Sequence, residues 1–257
     1  RFVAVSGGKV RYLKLGEGGT PFVLIHGFGG DLNNWLFLQD QLSADRAVYV
    51  VDLPGHGGSL KDVQDGGVPA LSRAIAEALT ALSVTRAHLV GHSLGGAVAL
   101  ELARRDGFAA SVSLIAPAGL GPEINGGYIA GFLGAKRRRD MQAALGALFS
   151  DPALVTADMA EDLLKARRLD GAQDALKAIA AAAFDGDRQR IDQTDAWKAL
   201  ASRPLVIWGA EDKIIPAAHA ARAPDALILP QVGHMPHLEA AGEVAGALKR
   251  HAEAAGI

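Results

Sequence analysis

The sequence has no cysteine, which excludes a disulfide framework, a thiolate nucleophile and a thiolate metal site. That absence fits a reducing compartment, and the expected location is cytoplasmic. Neither sign of charge dominates. With a formal net charge of −2 and a pI of about 6.5, no global field draws the chain toward nucleic acid or an anionic membrane. No apolar run reaches the roughly 18 residues a membrane helix requires, and the N-terminus lacks the charged and apolar regions of a signal peptide. The chain opens at Arg1 and not at Met, so the expectation is that something upstream has been removed. One local basic run, Lys136-Arg137-Arg138-Arg139, reads as a solvated helix face, with a phosphate-bearing ligand as the alternative.

What is present is a 257-residue chain, 49% hydrophobic and 21% charged, the composition of a soluble globular protein with one large core or a core plus an insertion. Phe22-Val23-Leu24-Ile25 is a continuous apolar run between Pro21 and His26-Gly27, as expected of a strand buried on both faces. Val48-Tyr49-Val50-Val51 and His88-Leu89-Val90 repeat the pattern, each ending in turn residues. Further strands are expected over 111–115, 205–208 and 226–229, and an N-terminal hairpin over 2–5 and 10–15 through Gly7-Gly8. Helical spacing recurs over 70–82, 94–105 and 240–254. The alternation implies an α/β protein whose mostly parallel sheet is flanked by helices. It stops over 120–201, which reads as an all-helical insertion with breaks at Ser150-Asp151-Pro152, Asp170-Gly171 and Asp185-Gly186. The expected division is a core of 1–119 and 202–257 with a helical cap of 120–201.

Gly91-His92-Ser93-Leu94-Gly95 matches G-x-S-x-G, which sets serine on a tight strand-to-helix turn with its hydroxyl above the sheet. The spelling is weak, but here a buried strand precedes it and an amphipathic helix follows. Serine is a poor nucleophile without a base, and the base needs a carboxylate to orient it. Asp212, just past the strand expected at 205–208, and His234, on the glycine turn Val232-Gly233-His234, stand in the required order of serine, acid, histidine. His237 and Glu211 are the competitors. Backbone N–H groups of Leu94 and of Phe28, in the loop His26-Gly27-Phe28-Gly29-Gly30, are the expected oxyanion donors. Gly27, Gly29, His92 and Arg167 are the expected substrate contacts, with a surface ion pair as the alternative for Arg167 and Arg168. The same glycine loop, with Asp52 ending the next strand, suggests a rival dinucleotide-binding domain. That fingerprint fails, because Leu32 stands where the third glycine belongs and no clear helix opens there. No spacing such as H-x-x-E-H offers a metal site, and none is expected.

Together with Asp52-Leu53-Pro54-Gly55-His56-Gly57-Gly58-Ser59, these residues resemble the α/β-hydrolase superfamily. More narrowly, the runs 21–35, 86–100, 165–171 and 206–219, with Ile124-Asn125-Gly126-Gly127-Tyr128, resemble the C-terminal hydrolase-like domain of acetoin dehydrogenase E2 components. The resemblance implies acetyl transfer between dihydrolipoamide and coenzyme A, an upstream lipoyl domain, and other subunits of a dehydrogenase complex as partners. Lipoamide and coenzyme A enter as substrates, with no cofactor bound in this domain. The alternatives are a stand-alone hydrolase of an ester, thioester or carbon–carbon bond, and a catalytically idle scaffold.

Overall fold

The apolar runs of the sequence become the centre of one sheet in a computed structural model, which describes residues 1–256. In chain order the core elements are β1 (Phe2–Val5), β2 (Gly8–Leu15), β3 (Phe22–Ile25), α1 (Leu36–Leu42), β4 (Val48–Val51), α2 (Val68–Ala81), β5 (Ala87–His92), α3 (Leu94–Ala103) and β6 (Ala109–Ile115). The insertion follows, with α4 (Gly126–Gly134), α5 (Arg138–Gly146), α6 (Ala157–Arg167), α7 (Ala172–Ala183), β7 (Phe184–Asp185), β8 (Arg188–Gln189) and α8 (Thr194–Lys198). The core resumes with β9 (Leu205–Gly209), β10 (Leu227–Leu229), α9 (Pro236–Glu239) and α10 (Ala241–Ala254).

Eight strands form one sheet in the order β1-β2-β4-β3-β5-β6-β9-β10. β1 and β2 pair antiparallel, as does β2 with β4, and every other pairing is parallel. Side chains alternate across a strand, so a parallel strand must be apolar on both faces. β3 shows this directly: Val23 and Ile25 join Leu71, Ile75 and Leu100 of α2 and α3, while Phe22 and Leu24 pack on the other face with Leu38, Leu42 and Leu248 of α1 and α10. Strand order reverses at β3, whose two neighbours β4 and β5 both follow it in sequence. A crevice opens at such a switch point, beyond the carboxyl ends of the strands.

Two elements differ from the sequence expectation. A helix does open after the glycine loop: a 3-10 turn over Leu32–Trp35 leads into α1, and Asp31 and Asn34 close a capping box at its start. The insertion is not all helical, because the break expected at Asp185-Gly186 is a hairpin: β7 ends at Asp185, Gly186-Asp187 makes the turn, and β7 and β8 pair antiparallel. Among the described residues no helix is long and apolar enough to cross a membrane.

Candidate active site

β5 delivers Ser93 to the carboxyl edge of the sheet, and α3 begins at the next residue. Ser93 has φ of 53° and ψ of −120°, a conformation that L-residues rarely adopt. Tight chain packing enforces it. A Cβ at Gly91 would strike the Gly95 carbonyl, and one at Gly95 would strike the carbonyls of Ile25 and His26. The Ser93 N–H donates to the Ile115 carbonyl at 3.0 Å, which locks the elbow to β6. Leu94, the first residue of α3, has no carbonyl one turn back to receive its N–H.

β9 delivers the acid. The Asp212 side chain is fully buried, and four donors converge on it. Oδ1 accepts from the Ile214 and Ile215 N–H groups at 2.8 and 3.0 Å, and Oδ2 accepts from Trp208 Nε1 at 2.9 Å and from His234 Nδ1 at 2.7 Å. With its Nδ1 proton donated to Asp212, His234 keeps Nε2 for other work. Glu211 is exposed and makes no such contact. His237 is fully buried between Trp35 and His92, at ring separations of 4.6 and 4.5 Å, and neither of its nitrogens meets a polar partner. Burial pushes its pKa down to about 3. His237 is a packed neutral ring with no carboxylate beside it.

The glycine loop is held by two more neutral imidazoles. His56 Nδ1 donates to the Pro54 carbonyl at 3.0 Å and Nε2 accepts from the Gly29 N–H at 3.0 Å. His26 Nδ1 donates to the Gly27 carbonyl at 2.8 Å and Nε2 accepts from the Leu53 N–H at 3.0 Å. Burial, with His26 alongside, pushes His56 down to about 3, so it stays neutral and able to accept. The Gly30 N–H is taken by the Gly27 carbonyl at 3.1 Å, whereas the Phe28 N–H has no acceptor among the described residues. Asp52, the residue behind the dinucleotide alternative, is buried and accepts from the Leu32 and Gly58 N–H groups at 2.8 Å each. It ties two loops together and has no free face for a ribose.

Ser93 and His234 line one cavity of about 490 Å³. Gly27, Phe28, Gly29 and His92 line it from the core side, and the insertion closes it with Ile124, Tyr128, Leu148, Phe149, Met159 and Phe184 among others. His92 also donates through Nε2 to the His234 carbonyl at 2.8 Å, and burial beside His237 and His234 holds its pKa well below the usual value. At the rim stand the acids Asp31, Asp158 and Asp162, and no lysine or arginine lines the cavity among the described residues.

Arg167 does not line this cavity, so the substrate contact expected there is not found, and among the described residues it makes no ion pair, the other role expected of it. Its guanidinium is consumed by the end of α4, donating to the carbonyls of Phe132, Leu133 and Ala135 at 2.6, 2.6 and 3.1 Å and to Gln173 Oε1. Those carbonyls are the unsatisfied acceptors of a helix C-terminus. Arg168 and the basic run at 136–139 are exposed and line no part of the cavity, with Arg138 paired to Glu161 at 3.0 Å. Trp208, His26, His56 and Glu239 escaped sequence reasoning: the two histidines and Glu239 bond to residues brought near by folding, and Trp208 bonds to Asp212 four residues on, through a turn that no local pattern marks.

A parallel sheet with an elbow serine, a histidine on an aspartate and a lid of helices defines an α/β hydrolase. The chain belongs to the Alpha/beta hydrolase family, whose model matches residues 22–247. It is 51% identical over 248 residues to the dihydrolipoyllysine-residue acetyltransferase component of the acetoin cleaving system of Pseudomonas putida, covering 93% of this chain and 65% of that protein. The component of the same name from Cupriavidus necator is 39% identical over 255 residues, covering 98% of this chain and 68% of that protein. The chain therefore spans about two thirds of the length of these relatives. Among solved structures, a meta-cleavage product hydrolase from Pseudomonas fluorescens superposes with a TM-score of 0.86 at 24% identity, covering 99% of this chain and 98% of that one. That likeness bears on the fold.

Proposed function

We propose that the protein transfers an acyl group through Ser93, as the hydrolase-like part of an E2-type component of an acetoin cleaving system. The observation that carries the chemistry is the 2.7 Å bond from His234 Nδ1 to buried Asp212, in the cavity that Ser93 also lines. Ser93 Oγ attacks a thioester carbonyl while His234 Nε2 takes its proton. The negative charge that develops on the carbonyl oxygen is met by the N–H groups of Leu94 and Phe28, fixed donors worth about 3 kcal/mol of barrier. The carbon–sulfur bond breaks, and His234 returns the proton to the departing thiolate. An incoming thiol then gives its proton to His234, its sulfur bonds the acyl carbon, and the ester to Ser93 breaks with the proton returned to Oγ.

The names of the two relatives, acetyltransferases acting on a dihydrolipoyllysine residue within an acetoin cleaving system, support an S-acetyl-dihydrolipoyl group as donor and other components of such a system as partners; coenzyme A as acceptor and an upstream lipoyl domain complete the proposal. A small acyl group fits the apolar interior, and helices over the acyl-serine limit attack by water. The second reading, a hydrolase of an ester, thioester or carbon–carbon bond, is favoured by one observation: the cavity offers no cation to coenzyme A phosphates. Acetyl-dihydrolipoamide supplied with and without coenzyme A, with acetyl-coenzyme A and acetate measured separately, decides between them. Acetate forming at one rate in both cases, with no acetyl-coenzyme A, gives the answer to the hydrolase.

A further inference from the structure

Residues Leu148–Ser150 belong to the insertion, yet they are bonded directly to the loops that carry Asp212 and His234. The His234 N–H donates to the Leu148 carbonyl at 2.8 Å. Lys213, next to Asp212, extends its ammonium to the carbonyls of Phe149 and Ser150 at 3.3 and 3.2 Å. The Glu239 carboxylate joins both sides. Its Oε1 accepts from the Gly233 N–H at 2.9 Å, and its Oε2 accepts from the Ser150 N–H and hydroxyl at 2.8 and 2.7 Å. The approach is so close that a Cβ at Gly233 would lie 2.6 Å from Ser150 N and 2.8 Å from the Leu148 carbonyl oxygen. Glycine is required there for contact, since its φ is ordinary.

We propose that Glu239 is a positioning residue that couples the helical cap to the catalytic histidine, so that the 148–150 segment and His234 move as one unit. Leu148 and Phe149 also line the cavity. Whatever fills the cavity thus presses on the segment from which the base hangs, and a cap displaced at 148–150 takes His234 away from Ser93. Three hydrogen bonds to one carboxylate form a stiff link, because bonds to a charged acceptor are the strong ones. The inference rests on His234 being the base.

The test compares Glu239→Ala, Glu239→Gln, Ser150→Ala and His234→Ala, with p-nitrophenyl acetate and a fluorophosphonate as probes. Glu239→Ala is expected to slow acylation of Ser93 by up to about 100-fold, the scale of an ångström-sized misplacement, with KM changed less than about twofold. The low-field proton resonance of the His234–Asp212 hydrogen bond should broaden or shift in the same variant. Glu239→Gln keeps one carbonyl oxygen as acceptor but sets an NH2 group, which cannot accept, against the donors on the other side, so it should lose an intermediate amount, about tenfold. Ser150→Ala removes one of the three bonds and should cost about threefold. A role confined to stability would lower Tm while each folded molecule acylates at the wild-type rate with an unmoved resonance, and that result overturns the proposal. If Glu239→Ala does not fold, unchanged acylation in both Glu239→Gln and Ser150→Ala overturns it equally. Wild-type labelling of His234→Ala would instead remove the reading beneath it.

Discussion

His234 Nδ1 lies 2.7 Å from Asp212 Oδ2, and the same oxygen accepts Trp208 Nε1 at 2.9 Å. The indole and the two amides on Oδ1 fix the carboxylate, the carboxylate fixes the imidazole tautomer, and Nε2 is left without a proton. Such a chain acts as a unit. Ser93→Ala, His234→Ala and Asp212→Asn should each lower turnover by about 10⁴-fold or more, and the triple variant should be hardly worse than Ser93→Ala. Kinetics on p-nitrophenyl acetate, with circular dichroism to verify folding, measure this; additive losses would mean independent roles.

Acid should destabilise the fold through its buried imidazoles. His56 and His237 are held to about 3 and His88 to about 4 by burial, against 6.5 when exposed. Their folded pKa values are depressed, so below pH 6.5 the unfolded chain binds protons that the folded chain refuses. The stability they contribute is complete above about 6.5 and is lost as pH falls toward 4 and 3, by up to about 1.4 kcal/mol per pH unit for each ring. Tm should therefore fall steeply over that window. His237→Phe should make the slope shallower by one proton and leave turnover at neutral pH intact. A dead His237→Phe enzyme with normal structure would reassign the base.

The central strands and the Ser93 elbow were legible in the sequence because their signals are local: continuous apolar runs bounded by turn residues, and glycines at the positions where Ile25 and Gly95 backbones touch. α1 was not, since Leu36 and Phe37 are exposed at 50% and 62% and blur its amphipathic pattern, although Asp31 and Asn34 mark the start of the 3-10 turn that leads into it. Asp185-Gly186 was visible only as a helix break, because two residues a side are too few to show strand alternation. Glu239 and Trp208 were illegible for another reason. Glu239 reaches Ser150, 89 residues away, and although Trp208 bonds within the loop that follows its own strand, a charge or an indole gives no sequence sign of where its hydrogen bonds go.

Arg167 is expected to matter for stability and not for chemistry. Arg167→Ala leaves three carbonyls at the end of α4 without their cation and removes the guanidinium stacked 5.4 Å from the Phe132 ring centre. A loss of about 2 kcal/mol follows from hydrogen bonds to a charged donor. Denaturant melts measure it, and kcat of the folded fraction should stay within about twofold. A kcat lost at unchanged stability would return Arg167 to the substrate.

Acceptor choice should depend on the acidic rim. Asp31, Asp158 and Asp162 face the cavity mouth, Asp162 is offset by Lys165 at 3.0 Å, and Asp158 makes no ion pair among the described residues. Coenzyme A must bring several negative charges past them, whereas water and dihydrolipoamide bring none. Like charges repel over the screening distance, which shrinks from about 30 Å at 0.01 M salt to about 8 Å at 0.15 M. Raising salt across that range should increase kcat/KM for coenzyme A about threefold and leave acetate release and transfer to dihydrolipoamide flat. Asp158→Asn should raise the low-salt value and weaken the salt response. If kcat/KM for coenzyme A instead falls with salt, attraction dominates, and the exposed run Lys136 to Arg139 becomes the surface to mutate next. An acceptor rate indifferent to both salt and Asp158 would remove the rim from any part in selection.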